Sequence, residues 1–238
     1  SYALRPLVSL SDSELQAYRQ SAYDRLKAEQ TSEGGWSWYP GMKASPYITS
    51  QIAILLARAN RPSTAYPLYG SLLQAAMKFL DKEMTNRMAE CKQKKLQPYV
   101  GETEINYLYL CHLLDNKETP TIRYWRNQMG KDDVHAYTMY GKAVQAQILA
   151  ETKYKELAKT ALQSVIEHTV ASPEMGRYFD TQRALSGYAS YRIPTQVMTL
   201  EALHHTSDET LKPLSLDREK VINEMCYILC FFLFLFLF

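Results

Sequence analysis

The stretch from Gly34 to Ala59 reads GGWSWYPGMKASPYITSQIAILLARA. Its first part is rich in aromatic residues and is bounded by glycines, which is typical of a loop. Its second part has Pro46 at a first helical position, where the missing N–H costs nothing. Non-polar residues then recur at helical spacing, from Ile48 through Ile52 onward. We therefore expect an aromatic loop that leads directly into an amphipathic helix.

The same 3.6-residue period recurs along most of the chain, whereas strand patterns do not. Ser11-Asp12-Ser13-Glu14 is a capping box and predicts the start of the first helix. Because the loops between helices are mostly short, successive helices should be antiparallel neighbours. The expected fold class is all-α. Helices are predicted over residues 11–30, 45–60, 68–84, 102–114, 120–129, 137–148, 157–168 and 194–205, with a last one starting near 217.

The composition favours an ordinary globular domain of 238 residues, with 46% hydrophobic and 22% charged side chains. The formal net charge is +2, from 27 basic and 25 acidic residues, which argues against a nucleic-acid partner. The basic run Lys92, Lys94 and Lys95 is explained more simply as a solvated helix end.

The cysteines and histidines do not predict a metal site or disulfides. No pair of cysteines has the C-x-x-C spacing of a zinc site. His204 and His205, near Asp208, are adjacent in sequence and therefore point to different faces of a helix. We expect isolated thiols packed as small hydrophobic groups, no bound metal and no cofactor. The four cysteines are Cys91, Cys111, Cys226 and Cys230.

A second segment resembles the opening stretch. It runs from Gly176 to Tyr191 and leads into Pro194-Thr195-Gln196. When Gln51 and Gln196 are aligned, Leu55 coincides with Leu200 and Ala57 with Ala202. Such a repeat suggests helical hairpins that close round a common axis, while the alternative is chance similarity between two amphipathic helices.

The chain resembles a known family at these residues. Gln30-Thr31-Ser32-Glu33-Gly34-Gly35-Trp36 fits the Q-x3-G-x-W motif of α/α-toroid proteins such as triterpene cyclases. The longer stretch from Gly34 to Ala59 is similar to the thioester-type helical domain of bacterial alpha-2-macroglobulins. This second resemblance covers residues from about 12 to 224. Further similar segments, in the same order, are Tyr124-Trp125-Arg126, Tyr140-Gly141-Lys142-Ala143, Gly176-Arg177-Tyr178 and Ile193-Pro194-Thr195-Gln196.

The resemblance implies a partial α/α toroid over residues 11–224, preceded by an N-terminal extension at 1–10. It implies that the chain is a fragment of a large extracytoplasmic protein of the periplasm or cell envelope, and leaves open a membrane anchor elsewhere in that protein. The implied role is inhibition of endopeptidases by trapping. The implied partners are the other domains of the parent protein and its target proteases, with no nucleic acid and no small-molecule substrate.

The chain departs from this family at the thioester. That group needs Cys and Gln in a C-x-E-Q arrangement, and none of the four cysteines has one. The motif would therefore lie upstream of Ser1 or be missing from the parent protein. No catalytic or thioester residue is predicted within the chain, and we expect that it is not an enzyme.

The alternative function is an α/α-toroid enzyme, such as a terpene cyclase or a polysaccharide-processing protein. A cyclase needs an acidic protonating motif, and Lys131-Asp132-Asp133 is the nearest candidate. Helix capping by Asp132 or Asp133 explains this segment better. A deep pocket with converging carboxylates would favour the enzyme.

The aromatic residues in and beside the two similar segments are candidate site residues. In one interpretation they form a contact surface, because aromatic side chains supply much of the energy of interfaces. In the other, they plug the end of the toroid, with hydroxyl groups reaching water. The residues are Trp36, Trp38, Tyr39, Tyr47, Tyr178, Tyr188 and Tyr191.

The C-terminal segment 225–238 reads MCYILCFFLFLFLF and is anomalous. A membrane-spanning helix needs about 20 non-polar residues, so this segment is too short. The family resemblance also ends before it. We expect that the tail is not native sequence and comes from a frameshift or a truncated reading frame, which would leave the toroid incomplete.

Overall fold

Helices form along the chain where non-polar residues recur with a 3.6-residue period. The computed structural model describes residues 11–59, 70–172, 176–178 and 192–205. The predicted segments 1–10 and 225–238 lie outside them. The expected all-α fold class is confirmed. The helices are α1 (Asp12–Glu29), α2 (Pro46–Ala59), α3 (Gly70–Lys94), α4 (Glu102–Leu113), α5 (Pro120–Met129), α6 (Met139–Leu149), α7 (Lys155–Glu167) and α8 (Arg192–His205).

Several helices begin where the sequence predicts. The Ser11 backbone N–H donates to Glu14 Oε2 (2.8 Å), and the Glu14 N–H donates to Ser11 Oγ (3.3 Å). This confirms the capping box of α1. Helix α2 begins at Pro46, as expected. Before α6, Thr138 Oγ1 accepts the backbone N–H of Gly141 (3.2 Å). These groups bond amides that a helix start leaves without partners.

Burial divides the helices into two kinds that alternate along the chain. Helices α4 and α6 are buried on nearly all sides, and α2 and α8 are largely buried. Helices α3, α5 and α7 bury one face, and most of α1 is exposed. Because a helix buried all round must lie inside its neighbours, the even-numbered helices are inner helices. Within its own unit, α3 packs on α2, and α7 packs on α6 and α8.

The described residues divide into two compact units at Gln128 and Met129. In the first unit, α2 packs against both α3 and α4. In the second unit, α6 packs against α7 and α8, and α7 also contacts α8. Three of these pairs are successive helices, namely α2 with α3, α6 with α7 and α7 with α8. The other two pairs, α2 with α4 and α6 with α8, are contacts between two inner helices. The single domain predicted over residues 11–224 stays a prediction.

Each unit has its own set of fully buried large side chains. In the first unit the indole N–H of Trp125 donates to the carbonyl oxygen of Met84 (3.1 Å), and the hydroxyl group of Tyr107 donates to Asp81 Oδ1 (2.6 Å). These bonds compensate for polar atoms that would otherwise be buried without partners. The set is Trp36, Leu80, Met84, Tyr107, Tyr109, Leu110 and Trp125 in the first unit, and Met129, Gln145, Leu149 and Met198 in the second.

A short antiparallel hairpin follows α7. Strand β1 (Val170–Ser172) pairs with β2 (Gly176–Tyr178), and Val170 lies opposite Tyr178. The sequence predicts an aromatic loop from Gly176 onward, so this part of the expectation is corrected. The hairpin lets backbone groups bond one another locally, where an irregular loop would leave them to water.

Helices α2 and α8 bury equivalent positions. In the alignment given above, Ser50 coincides with Thr195, and both are fully buried. Ala57 and Ala202 also coincide, and both are buried. At these positions the similarity extends from sequence to burial, whereas Leu55 is exposed and the aligned Leu200 is half-buried. The segments before them differ, because the second one begins as strand β2.

Candidate functional site

The Q-x3-G-x-W motif has a structural role in which both of its polar side chains bond backbone carbonyls. Gln30 Nε2 donates to the carbonyl oxygens of Gly34 (2.7 Å) and Leu72 (3.1 Å). The indole N–H of Trp36 donates to the carbonyl oxygen of Leu26 (2.9 Å), and Trp36 is only 2% exposed. The motif therefore fixes the end of α1 to the following loop and to α3.

The two glycines of the motif are required by space. Gly34 has a φ of +94°, and a Cβ there would lie 2.5 Å from the carbonyl oxygen of Ala75. A Cβ at Gly35 would lie 2.7 Å from Thr49 Oγ1. That same hydroxyl oxygen accepts the backbone N–H of Trp36 (2.9 Å). The start of the loop thus lies directly against the first turn of α2, which no larger residue would allow.

Residues 34–45, here called the aromatic loop, are held by their own backbone. The N–H of Ser45 donates to the carbonyl oxygen of Trp36 (2.8 Å), which closes the loop. Inside it, the carbonyl oxygen of Tyr39 accepts the Ser37 hydroxyl (2.7 Å) and the Met42 N–H (3.2 Å). A loop closed in this way presents its outer side chains in a fixed arrangement.

The predicted aromatic residues separate into buried and exposed ones. Trp36 belongs to the core, whereas Trp38 is 59% exposed and Tyr39 is 70% exposed. Met42 is also exposed. The ring of Tyr47 is half-buried and stacks on Trp38, with 5.8 Å between centroids and 13° between planes. The structure thus brings Trp38 and Tyr47 together and places Trp36 in the core.

The other predicted aromatic residues are described only in part. Tyr178 lies in β2 by its backbone. Tyr188 and Tyr191 lie outside the described residues. The interpretation of these three residues as part of a shared surface stays a prediction.

An acidic residue that the sequence analysis did not single out lies beside the aromatic loop. Glu102 is the first residue of α4, and its carboxylate accepts hydrogen bonds from Tyr47 and, weakly, from Gln51 Nε2 (3.5 Å). Burial raises the pKa of the Glu102 carboxyl, and the bond from Tyr47 opposes that increase. The exposed ring of Tyr99 lies against Gly101, the residue before Glu102.

A partly buried ion pair involves Glu104, two residues further along α4. Glu104 is 1% exposed, and its Oε1 contacts Arg87 Nη1 of α3, although without hydrogen-bond geometry. Its Oε2 accepts the backbone N–H of Gly101 (3.0 Å). Burial raises the pKa of the Glu104 carboxyl, and the charge of Arg87 partly offsets this. The pair fixes the start of α4 to α3.

The second unit has a buried lysine, Lys142 on α6. Its Nζ donates to Ser164 Oγ of α7 (2.9 Å). Burial lowers the pKa of Lys142, whereas the charges of Asp133 and Glu167 raise it. A lysine beside a serine can activate the hydroxyl group as a nucleophile. However, Ser164 lies within α7, where backbone N–H groups are bonded along the helix and are not available to an oxyanion. We interpret the pair as a structural bond between α6 and α7.

The acidic segment considered for a cyclase has a structural role. Asp133 Oδ1 accepts the backbone N–H of His135 (2.9 Å) and caps a short 3-10 helix, Val134–Ala136. Asp132 Oδ2 accepts the hydroxyl group of Tyr137 (2.7 Å). Capping by an aspartate, as expected, is confirmed for Asp133.

Two cysteines fall within the described residues, and both are free thiols. Cys111 is buried on α4, and burial is the largest cause that raises its pKa, to about 12. Cys91 is half-buried near the end of α3. In this part of the chain, no three His, Cys, Asp or Glu side chains are grouped so that they could hold a metal ion.

None of the helices in the described ranges is long and non-polar enough to cross a membrane. No protein-family model, no curated protein and no solved structure matches this chain. The resemblance to the alpha-2-macroglobulins therefore rests on the residues of the chain alone.

Proposed function

We propose that this chain is a helical domain of an alpha-2-macroglobulin-like protein and that it acts by binding and conformational change. Its partners are the other domains of the parent protein, and the parent protein traps proteases. The parent is extracytoplasmic. The chain itself is not an enzyme in this proposal.

The alternation of inner and outer helices is the observation that carries the proposal. In an α/α toroid, each hairpin contributes one inner and one outer helix, and inner helices pack on inner helices. The pairs α2 with α4 and α6 with α8 follow this rule within their own units. The burial of α4 and α6 on nearly all sides follows it too.

The bonds of Gln30 and Trp36 give a second line of support. They join the end of an outer helix, α1, to the loop that leads into an inner helix, α2. In a toroid, each hairpin needs such bonds between the outer helix and the loop, because they hold the outer helix in position against the inner helix. The local geometry thus agrees with the Q-x3-G-x-W motif, which is typical of α/α-toroid proteins.

The chemistry of the chain favours a binding role. The sequence contains no C-x-E-Q pair. The buried charged groups Glu104 and Lys142 bond other helices. An internal thioester would need a Cys and a Gln that are sheltered from water. Covalent trapping therefore requires residues outside this chain.

The test uses the parent protein, expressed from its whole reading frame. Trypsin is added, and native gels show whether trypsin stays bound after the parent protein is cleaved. A parent protein that lacks residues 11–224 is the control. We expect retention with the complete protein, loss with the deletion, and no incorporation of methylamine into the isolated chain. Equal retention by both proteins would overturn the proposal, as would an upstream reading frame without modules of this family.

An α/α-toroid enzyme is the second candidate, and Glu102 is the observation that favours it. A half-exposed carboxyl with a raised pKa beside exposed aromatic rings is a common feature of active sites. The test is whether the chain forms a hydrolysis or cyclisation product and whether folded Glu102→Gln fails to form it. If both are observed, the enzyme replaces the first proposal.

A further inference from the structure

An exposed tryptophan, a tyrosine and a half-buried carboxylate lie together in the first unit, at Trp38, Tyr47 and Glu102. Trp38, Tyr39 and Met42 project from the aromatic loop, and Tyr99 lies against Gly101. Single exposed non-polar residues are ordinary, but an exposed tryptophan stacked on a tyrosine that bonds a half-buried carboxylate is not explained by packing alone. The arrangement has the composition of a ligand site, with aromatic faces and a few placed polar atoms.

One tyrosine connects the two parts of this surface. The ring of Tyr47 stacks on Trp38, and its hydroxyl group bonds the Glu102 carboxylate. Trp38 and Glu102 are therefore one tyrosine side chain apart. Since the loop is closed by its own backbone bonds, less of its backbone has to be ordered when a ligand binds, which lowers the entropic cost of binding.

The polar atoms suit a neutral, hydroxyl-rich ligand. The Glu102 carboxylate and the Gln51 amide can accept from and donate to neighbouring hydroxyl groups. The face of an aromatic ring is electron-rich and attracts C–H groups that carry a small positive charge. A pyranose ring with equatorial substituents offers both, with C–H groups on its faces and hydroxyl groups at its edge.

The small number of exposed rings favours a saccharide over a protein. A stable protein interface buries about 800 Å² on each partner and involves about 20–30 residues a side. Here the exposed rings are few, and the aromatic loop is bordered by exposed polar residues, Ser32, Glu33 and Lys43. A surface with so few exposed rings suits a short saccharide better than a protein partner.

We propose that Trp38, Tyr47, Gln51 and Glu102 form a binding site for an oligosaccharide of β-linked, equatorially substituted pyranoses. The sugar faces stack on Trp38 and the neighbouring rings, and the sugar hydroxyl groups bond Glu102 and Gln51. The site binds without cleaving its ligand. It is independent of the proposed role in protease trapping.

In the experiment, the complete 238-residue chain is titrated with cellohexaose and with chitohexaose. Calorimetry and tryptophan fluorescence measure the binding. Of the three tryptophans, Trp36 and Trp125 are buried, so a fluorescence change on binding reports Trp38. We expect binding of at least one probe and a loss of affinity of about tenfold or more in Trp38→Ala, with a smaller loss in Trp38→Phe.

Tyr18→Ala is the control, because Tyr18 is an exposed aromatic residue of α1, outside the aromatic loop. It should bind the probes as the unchanged chain does. Circular dichroism shows that each variant is folded, which is expected since Trp38 is exposed. If neither probe binds, or if folded Trp38→Ala binds as tightly as the unchanged chain, the proposal is wrong. Capture of another domain of the parent protein by the same loop, without a response to either sugar, would assign the surface to a protein partner instead.

Discussion

Gln30 at the end of α1 donates its side-chain amide to the carbonyl oxygen of Leu72, 42 residues further along the chain (3.1 Å). The same amide nitrogen bonds Gly34 (2.7 Å), so one side chain joins α1, the aromatic loop and α3. This explains the spacing of the Q-x3-G-x-W motif in this chain. The glutamine must directly follow the helix. The glycine must lie close enough in sequence for its carbonyl oxygen to accept the glutamine side-chain amide.

Gln30→Ala should destabilise the chain. The change removes both bonds and leaves two carbonyl groups without this donor, at a cost of about 1–3 kcal/mol. Urea unfolding followed by circular dichroism measures the difference. Gln20→Ala is the matched control, because Gln20 bonds only the exposed Asp24 on the same helix. A similar loss of stability in both variants would contradict the assigned role of Gln30.

Gly34→Ala should be more harmful than Gly41→Ala. Both glycines have positive φ values, +94° and +84°, so each substitution adds backbone strain of about 1–3 kcal/mol. Only at Gly34 does the new methyl group also meet backbone, 2.5 Å from the carbonyl oxygen of Ala75, whereas Gly41 faces open space. Unfolding midpoints of the two variants measure the difference. Equal midpoints would mean that α3 can move away from the loop.

The sequence predicts the helices well where one face is non-polar and less well where a helix extends into solvent. Helices α1 and α5 begin and end within a residue of the predicted positions. Helix α3 runs to Lys94, although its non-polar stripe ends at Met84. Its last turns are largely exposed and are supported by pairs such as Lys94 with Glu90 (2.6 Å). Periodicity does not detect such a segment.

The candidate site could be predicted only in part. The aromatic loop is apparent from its composition, but which of its rings are buried depends on the packing of Trp36 between α1 and α2. Glu104 and Lys142 were not predicted, because a charged residue in a helix is assigned to the exposed face by default. The sequence nevertheless indicates their burial, because each lies in a run of mainly non-polar residues. Glu104 begins EINYLYL, and Lys142 begins KAVQAQIL. Such a run predicts a helix buried on all sides.

Arg87→Met should destabilise the chain by about 2 kcal/mol. Loss of one partner of a fully buried pair costs roughly 3–5 kcal/mol, and the effect is smaller here because Arg87 is 45% exposed. Arg25→Met is the control, since the pair of Arg25 with Glu29 is exposed on both sides and contributes little. Chemical denaturation at neutral pH measures both. A loss for Arg87→Met no greater than that for Arg25→Met would show that Glu104 is not buried as described.

Glu104 should also make the stability of the chain depend on pH. Its pKa is raised above 4.5 in the folded state, so the folded chain holds this proton more tightly than the unfolded chain. The resulting stabilisation is present at low pH and is lost as the pH rises from 4.5 through the folded-state pKa. Relative to Glu104→Gln, the free energy of unfolding should therefore fall over this range. Parallel pH profiles for the two proteins would contradict this assignment.

The reactivity of the cysteines tests the burial of α4. In a background in which Cys226 and Cys230 are replaced by Ser, iodoacetamide should label Cys91 in the folded chain. Cys111 should react only after unfolding, because it is buried and because burial and the nearby charge of Asp81 raise its pKa to about 12. Only the thiolate is a nucleophile, so little of Cys111 can react at neutral pH.

Mass spectrometry of peptides after labelling for increasing times separates the two sites. Urea provides the positive control, since both thiols should react at similar rates in the unfolded chain. The slow rate at Cys111 should persist as the pH approaches 9.0, the ordinary pKa of a thiol, because its own pKa lies well above that value. Labelling of Cys111 in the folded chain as fast as Cys91 would mean that α4 is exposed, and the assignment of α4 as an inner helix would then fail.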